Sequence, residues 1–246
     1  MPIYSPASGL SDDGATLETS SSGVSRRFFV SGCFAAMTLP LAGCYTAGLP
    51  GQPPLPDETF DYASAYAVWP DGDFTWPAIN YQSFDRKYWR QVVDYKSGEK
   101  PGTIIVDPYN YFLYWILTPK TALRYGISVG RSGYAWSGDA MIRVKREHPR
   151  WRPPREMIAR KPSLERYWKD GMGPGLKNPL GARAMDLWQG SRDTLFRIHG
   201  TSSPNSIGKS VSSGCIRMWH QDVIDLFERV PLRTKVIVLS KEDAEA

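Results

Sequence analysis

Short apolar runs bounded by turn-forming residues dominate the sequence from residue 103 to residue 239. Such runs, rich in β-branched and aromatic side chains, are typical of β-strands. We predict strands at 103–106, 111–117, 123–129, 141–145, 184–187, 194–198 and 235–239. One segment is helical instead: from Gln221 to Val230 apolar residues recur at three- and four-residue spacing, and Pro231 follows. The pattern predicts a mainly β domain with one or two helices, arranged as a β-sandwich or a barrel-like sheet.

The first 44 residues have the pattern of an export signal. Arg26 and Arg27 directly precede an apolar run that closes with Leu-Ala-Gly-Cys at 41–44. The run is shorter than the roughly 20 residues needed to span a bilayer, and a basic start before a short apolar stretch is typical of a secretion signal. The paired arginines resemble a twin-arginine signal, and 41–44 resembles a lipobox in which Cys44 carries lipid. A signal cleaved without lipidation and an uncleaved anchor are the alternatives.

Three further segments follow the signal. Residues 45–57 are rich in Pro and Gly and are predicted to be a tether. Residues 58–100, the N-terminal extension, are aromatic and weakly periodic, with one short helix predicted at 85–92. Residues 101–240 form the main domain, in which 147–177 is predicted to be a large loop with a helical turn. Loops of that length in compact domains are usually functional.

The cysteines and histidines are few enough to consider one by one. Of the three cysteines, Cys33 and Cys44 belong to the signal, which leaves Cys215 without an intramolecular partner. An unpaired thiol in an exported protein is either an inert buried residue or a nucleophile, and a nucleophilic thiol needs a base beside it. His199 follows the predicted strand 194–198, where a rigid scaffold would present it.

The other two histidines receive structural assignments. His148 lies in a charged stretch and is predicted to be solvated, and His220 is predicted to be a surface residue that begins the late helix. A zinc site built from His199, Cys215 and His220 would lack a fourth ligand and the paired short spacings of such sites. We therefore predict no metal and no cofactor.

The segments around His199 and Cys215 resemble a known family. Ile-His-Gly-Thr at 198–201, followed sixteen residues after the histidine by the cysteine of Ser-Gly-Cys-Ile-Arg-Met at 213–218, is similar to the signature of L,D-transpeptidases with a YkuD-type catalytic domain. The resemblance covers roughly 100–239. It implies a β-rich fold, Cys215 as nucleophile, His199 as general base, and a Gly200 carbonyl that orients the imidazole.

The resemblance also implies a reaction. Cys215 would attack the carbonyl between the L-centre of a diamino acid and the terminal D-Ala of a tetrapeptide stem in peptidoglycan, and an amine acceptor would resolve the thioester. The acceptor stays open between another stem peptide, a wall-attached protein and water, the last giving L,D-carboxypeptidase activity. The main-chain N–H groups of Ser213, Gly214 and Cys215 are candidates for an oxyanion hole. Arg217 is a candidate for the substrate carboxylate.

One residue departs from the family pattern, because Ser213 occupies a position where the family often has His. That departure favours a second hypothesis, a non-catalytic scaffold that only binds wall peptides. A papain-like endopeptidase is a third, but there the Cys usually precedes the His. The formal net charge of +5 suits an anionic cell-wall environment, and no basic run indicates nucleic-acid binding. We predict an exported protein of the periplasm or cell envelope, held to a membrane by its N-terminal lipid.

Overall fold

The computed structural model describes residues 53–57, 59–130, 136–211 and 215–245, which belong to one compact unit. Several predicted residues lie outside these ranges: Arg26, Arg27, Cys44, Ser213 and Gly214.

The N-terminal extension folds into short elements. They are α1 (Tyr62–Ala65), β1 (Trp69–Asp71), β2 (Phe74–Trp76) and β3 (Gln91–Asp94), with 3-10 turns at Tyr81–Ser83 and Arg86–Tyr88. The helix predicted at 85–92 is wrong. Asp85 caps only the single turn that follows it, and the chain then pairs as β3 with a strand of the main sheet, where its N–H and C=O groups are satisfied across strands.

From residue 101 onwards the described residues contain ten strands and three α-helices, of which the last follows the main domain. They are β4 (Ile104–Asp107), β5 (Phe112–Thr118), β6 (Thr121–Gly126), β7 (Ser128–Gly130), β8 (Gly138–Glu147), α2 (Arg155–Arg160), β9 (Arg183–Gln189), β10 (Arg192–Gly200), β11 (Ser210–Val211), β12 (Ile216–Met218), α3 (His220–Arg229), β13 (Lys235–Val238) and α4 (Lys241–Glu245). The prediction of a mainly β chain with few helices is confirmed. Each predicted strand has an observed counterpart, and α3 lies within one residue of the predicted helix.

Eleven strands form one sheet in the order β11-β7-β12-β10-β9-β8-β13-β4-β5-β6-β3, while β1 and β2 form a separate hairpin. Most neighbours are antiparallel, but β10 with β12, β11 with β7, and β13 with β4 are parallel. The late strand β13 therefore lies in the middle of the sheet, between β8 and β4.

One apolar core joins the sheet to α3. Buried side chains from both halves of the sheet, among them Ile104, Ile142 and Ile198, join Val223 and Leu226 of α3 in one apolar cluster. The three- and four-residue spacing of apolar residues in α3 gives this helix its core-facing side. None of the helices in the described part of the chain is long and apolar enough to cross a membrane.

A second cluster joins the N-terminal extension to the main domain. We call it the aromatic cluster; its buried members are Tyr66, Ile79, Ile207 and Trp219, and Tyr62, Tyr81, Phe84, Tyr88 and Trp89 pack against them. Because Ile207 and Trp219 come from the main domain, the extension packs on that domain with a substantial apolar contact.

A polar contact fixes the β1–β2 hairpin to the same domain. The Asp71 carboxylate accepts hydrogen bonds from Trp76 Nε1 at 2.8 Å and from both terminal nitrogens of Arg183 at 2.8 and 2.9 Å, and it lies 2.8 Å from His148 Nε2. The prediction that His148 is solvated is wrong. Its imidazole is drawn into partial burial because it supplies one of the hydrogen bonds to this carboxylate.

Candidate active site

Three adjacent strands, β9, β10 and β12, bring polar side chains to one face of the sheet. On β10, His199 is in register with Arg217 of β12, and Arg197 is in register with Asp186 of β9. Side chains alternate between the two faces of a strand, so these four residues share a face. The intervening Ile198 points the other way and belongs to the main core.

His199 is held in a single orientation and tautomer. Its side chain is almost completely buried, and Nδ1 lies 2.6 Å from the Gly200 carbonyl oxygen. A carbonyl oxygen only accepts, so Nδ1 carries the proton and Nε2 keeps its lone pair. Burial lowers the pKa of His199 to about 4, while the bond to Gly200 acts in the opposite direction. The imidazole is therefore neutral near pH 7, which is the state that accepts a proton.

His220 packs against the backbone of Gly200. A Cβ placed on Gly200 would lie 2.7 Å from His220 Nδ1, so the ring packs directly against the glycine backbone. The Ala182 N–H donates to the same nitrogen at 3.4 Å, and Trp76 packs on the ring with centroids 4.3 Å apart. Burial lowers the pKa of His220 to about 4. The predicted surface position is wrong, because this first residue of α3 is covered by the Trp76 hairpin.

Cys215 is half-buried and lies one residue before β12. Its carbonyl accepts from the Gly130 N–H at 3.3 Å, and continuing the β10–β12 register places it beside Arg197, on the His199 face. Burial raises the pKa of the Cys215 thiol, opposed by a main-chain hydrogen bond from Arg197 and by the charges of Arg197 and Arg217. The same two charges act on His199, which places thiol and imidazole in one neighbourhood.

An ion-pair group borders the thiol and was missed by the sequence analysis. Arg197 contacts Asp186 at 2.7 Å and Asp193 at 2.7 Å, and Arg146 contacts Asp186 at 2.6 Å. No alternation of polar and apolar residues marks this group in the sequence, because Leu195 and Phe196 are adjacent apolar residues within 193–199. The group fixes the guanidinium of Arg197 close to Cys215, where its positive charge stabilises negative charge that develops on sulfur.

Four of the predicted site residues lie close together, His199 and Gly200 on β10, Arg217 on the neighbouring β12, and Cys215 one residue before β12. Arg217 is half-buried, and burial lowers its pKa while the proximity of Cys215 opposes that shift. Within the described ranges no group of three or more His, Cys, Asp and Glu side chains is arranged to hold a metal ion. The assembled groups are a neutral base, a thiol and two guanidinium groups, a combination suited to acyl transfer through a thioester.

Comparison with known proteins points to one family. The family model for the YkuD L,D-transpeptidase catalytic domain matches residues 101–238. A protein of Fuscovulum blasticum, provisionally named as an L,D-transpeptidase in the ATP synthase subunits region, is 38% identical over 163 residues, which cover 65% of this chain and 79% of that protein. YqjB of Bacillus subtilis, also provisionally named as an L,D-transpeptidase, is 32% identical over 137 residues, covering 55% of this chain and 69% of its own.

A solved structure from Brucella melitensis, described as a probable carnitine operon oxidoreductase, is 52% identical and covers 65% of this chain and 99% of its own. The superposition has a TM-score of 0.45.

Proposed function

Because the chain belongs to the YkuD L,D-transpeptidase catalytic-domain family, we propose that it is a peptidoglycan L,D-transpeptidase with Cys215 as nucleophile and His199 as general base. One observation carries the proposal. The buried, neutral imidazole of His199, fixed through Nδ1 to the Gly200 carbonyl at 2.6 Å, lies on the strand next to the Cys215 loop and on the same face of the sheet. A base with one nitrogen fixed and the other available is what a thiol nucleophile requires.

The reaction begins with the thiol. Cys215 Sγ bonds to the carbonyl carbon of the peptide bond between the L-centre of the diamino acid and D-Ala, and its proton passes to His199 Nε2. The tetrahedral intermediate collapses, the C–N bond breaks, and D-Ala leaves as an amine that takes the proton from His199. An acceptor amine then attacks the thioester and gives a proton to His199, which returns it to the departing thiolate. With water as acceptor the product is a shortened stem with a free carboxylate.

Two further roles complete the proposed site. The N–H groups of Gly214 and Cys215, with that of Ser213, stabilise the oxyanion; Ser213 and Gly214 lie outside the described residues. Arg217 is in register with His199, and its guanidinium binds the substrate carboxylate. A guanidinium is planar and can donate two parallel hydrogen bonds to the two carboxylate oxygens.

The proposed location follows from the N-terminal sequence. Arg26 and Arg27 direct export, and Cys44 carries the lipid that holds the protein to a membrane of the cell envelope. Stem peptides of peptidoglycan are the substrate there. The acceptor is a second stem peptide or a wall-attached protein.

The test is to incubate the purified full chain with a tetrapeptide muropeptide and to identify the products by mass spectrometry. We expect D-Ala release together with a cross-linked dimer, and no turnover from Cys215→Ala at an unchanged thermal midpoint, because a half-buried loop thiol contributes little to packing. Turnover retained in Cys215→Ala would exclude this nucleophile.

The other outcomes identify the alternatives. D-Ala release with only a shortened monomeric stem would show an L,D-carboxypeptidase. Saturable muropeptide binding by wild-type protein without any release would show a non-catalytic scaffold. His199→Ala, which removes the proposed base, should lose turnover. Its matched control is His148→Ala, because His148 lies against Asp71 and not against groups of the site, and the folded variant should retain turnover.

A further inference from the structure

Tyr88 of the N-terminal extension is wedged between two glycines of the main domain. A Cβ on Gly126 would lie 2.6 Å from the Tyr88 carbonyl oxygen and 2.8 Å from its Cβ. A Cβ on Gly208 would lie 2.5 to 2.7 Å from Cζ, Cε2 and the hydroxyl oxygen of Tyr88. Real side chains essentially never approach so closely, so both positions admit Tyr88 only because they are glycine.

Gly208 belongs to the segment that connects the His199 strand to β11, residues 201–209, here called the bridging loop. Its contacts with the extension continue beyond Tyr88. Ile207 is buried in the aromatic cluster, and Trp219, which donates from Nε1 to the Pro204 carbonyl at 3.2 Å, packs edge-on against Phe84 at 5.0 Å. The extension therefore contacts the bridging loop at two consecutive residues, Ile207 and Gly208.

The bridging loop in turn lies over the face of the sheet that carries the candidate site. Ser206 Oγ is 3.1 Å from Ser128 Oγ on β7, and both side chains are buried. Ser128 is in register with Arg217, so its side chain points to the same face as Arg217 and His199. The loop is thus a wall of the site on the Arg217 side.

From these contacts we propose that Tyr88 is a positioning residue for this wall, so that the N-terminal extension determines how well the site binds its substrate. The inference rests on the proposed function. A cleft of about 390 Å³ opens beside the contact, lined by Phe84, Asp85 and Tyr88 on one side and by Gly208 and Lys209 on the other. Because of this cleft the bridging loop has few other contacts near Gly208 and Lys209, so the Tyr88 ring is the principal packing contact of that part of the loop.

The proposal predicts a specific kinetic signature. Removing the ring in Tyr88→Ala frees the wall but leaves His199, Gly200 and their strand untouched. We expect KM for the tetrapeptide muropeptide to rise about tenfold, because a small misplacement of a binding wall weakens substrate binding, with kcat changed less than about threefold. The rate of Cys215 alkylation by iodoacetamide, which is too small to need the wall, should stay at the wild-type value.

Three variants separate this role from a general structural one. Tyr88→Phe keeps the ring and should keep the wild-type KM. Gly208→Ala pushes on the ring from the loop side and should raise KM as Tyr88→Ala does, which also covers the case in which Tyr88→Ala does not fold. Trp69→Ala removes an exposed aromatic of the same extension, 40% accessible, and should leave KM unchanged.

Hydrogen–deuterium exchange tests the wall independently of turnover. The Gly208 N–H donates to the Ile127 carbonyl at 2.9 Å, and the Lys209 N–H donates to that of Ser206 at 3.0 Å. Both amides should exchange faster in Tyr88→Ala and not in Trp69→Ala, even if the wild-type protein shows no transpeptidation. Unchanged exchange and unchanged KM in Tyr88→Ala would overturn the proposal. A rise in KM accompanied by equal losses of kcat, alkylation rate and thermal stability would also overturn it, because the ring would then have a general structural role.

Discussion

The resting state of the proposed catalytic pair is a neutral thiol beside a neutral imidazole, and this can be measured. Burial raises the pKa of the Cys215 thiol above its ordinary 9.0, and burial lowers the pKa of His199 to about 4. Both shifts disfavour the thiolate–imidazolium pair found in papain-like sites. At pH 7 the folded protein therefore holds a smaller fraction of thiolate than the unfolded chain, in which the thiol has its ordinary pKa.

The assay is alkylation of Cys215 by iodoacetamide in the full chain, with the adduct followed by intact mass across pH 6 to 9. The rate should rise about tenfold per pH unit with no plateau, because it follows the thiolate fraction. At pH 7 the folded protein should react more slowly than the same chain unfolded in guanidinium chloride, where the thiol regains its ordinary pKa. Other cysteines are distinguished by peptide mapping.

His199→Ala sharpens the comparison. Because the imidazole is already neutral, its removal should change the alkylation rate less than about threefold, whereas turnover of the muropeptide should fall by about 10²–10⁴-fold with the general base gone. On the acid side, kcat/KM of the wild type should decline only as the pH falls towards about 4, where His199 becomes protonated. An alkylation-rate plateau between pH 6 and 8 that vanishes in His199→Ala would show a resting ion pair and refute the reasoning.

Three further variants test the surroundings of the site and of the extension. Gly200→Ala places a Cβ 2.7 Å from His220 and displaces the carbonyl that holds His199, so kcat in steady-state kinetics should fall about 100-fold. The control is Gly98→Ala, where a Cβ meets nothing within 4 Å, and its kcat should match that of the wild type. Asp222 is fully buried, and burial raises its pKa from 3.8 to about 7, so the native state binds a proton that the unfolded chain releases. In urea denaturation the stability of the wild type relative to Asp222→Asn should therefore fall by about 4 kcal/mol between pH 4 and pH 8, and a difference that does not change with pH would contradict this assignment. Burial would raise the pKa of Asp71, but hydrogen bonds from Arg183, Trp76 and His148 hold it below 3.8, so the stability that this carboxylate contributes is present above that pH and lost in acid. In the same assay Asp71→Asn should lower the free energy of unfolding by about 3 kcal/mol at pH 7. An unchanged midpoint would show that the hairpin docks without the ion pair.

Much of the sheet could be predicted because its strands are locally encoded. β4 and β5 are apolar runs with a turn between them, and α3 has an apolar stripe and a following Pro231. β12 could not be predicted in this way. It has only three residues, and it is a strand because Ile216 and Met218 pair with β10 rather than because of any alternation long enough to detect.

The site shows the same division between local and long-range information. His199 and Cys215 were identified from their local motifs, and the bond from His199 to Gly200 joins adjacent residues. The contact of His220 with Gly200 brings together residues twenty positions apart, and its burial depends on Trp76 from the extension. Such contacts exist only once the tertiary structure has formed, so periodicity gives no sign of them.

The bulge in β10 has a comparable origin. Its register with β9 shifts between Asp193 and Arg197, and Leu195 has a φ of 63° with 75% of its surface accessible. A leucine rarely adopts a left-handed backbone conformation, and its apolar side chain is more often buried than exposed. The local distortion lets Arg197 contact both Asp186 and Asp193, which no pattern of hydrophobicity encodes.

The place of β13 in the sheet has a consequence for biosynthesis. Val236 and Val238 pair with β4 on one side and with β8 on the other, so this strand joins two strand groups that the ribosome makes well before it. Until it emerges, β4 and β8 each present an unpaired edge, the kind of surface on which chains aggregate. The nascent chain therefore cannot complete its sheet one hairpin at a time. A chain that stops before residue 235 would keep both edges open and be a substrate for chaperones and proteases rather than a shorter enzyme.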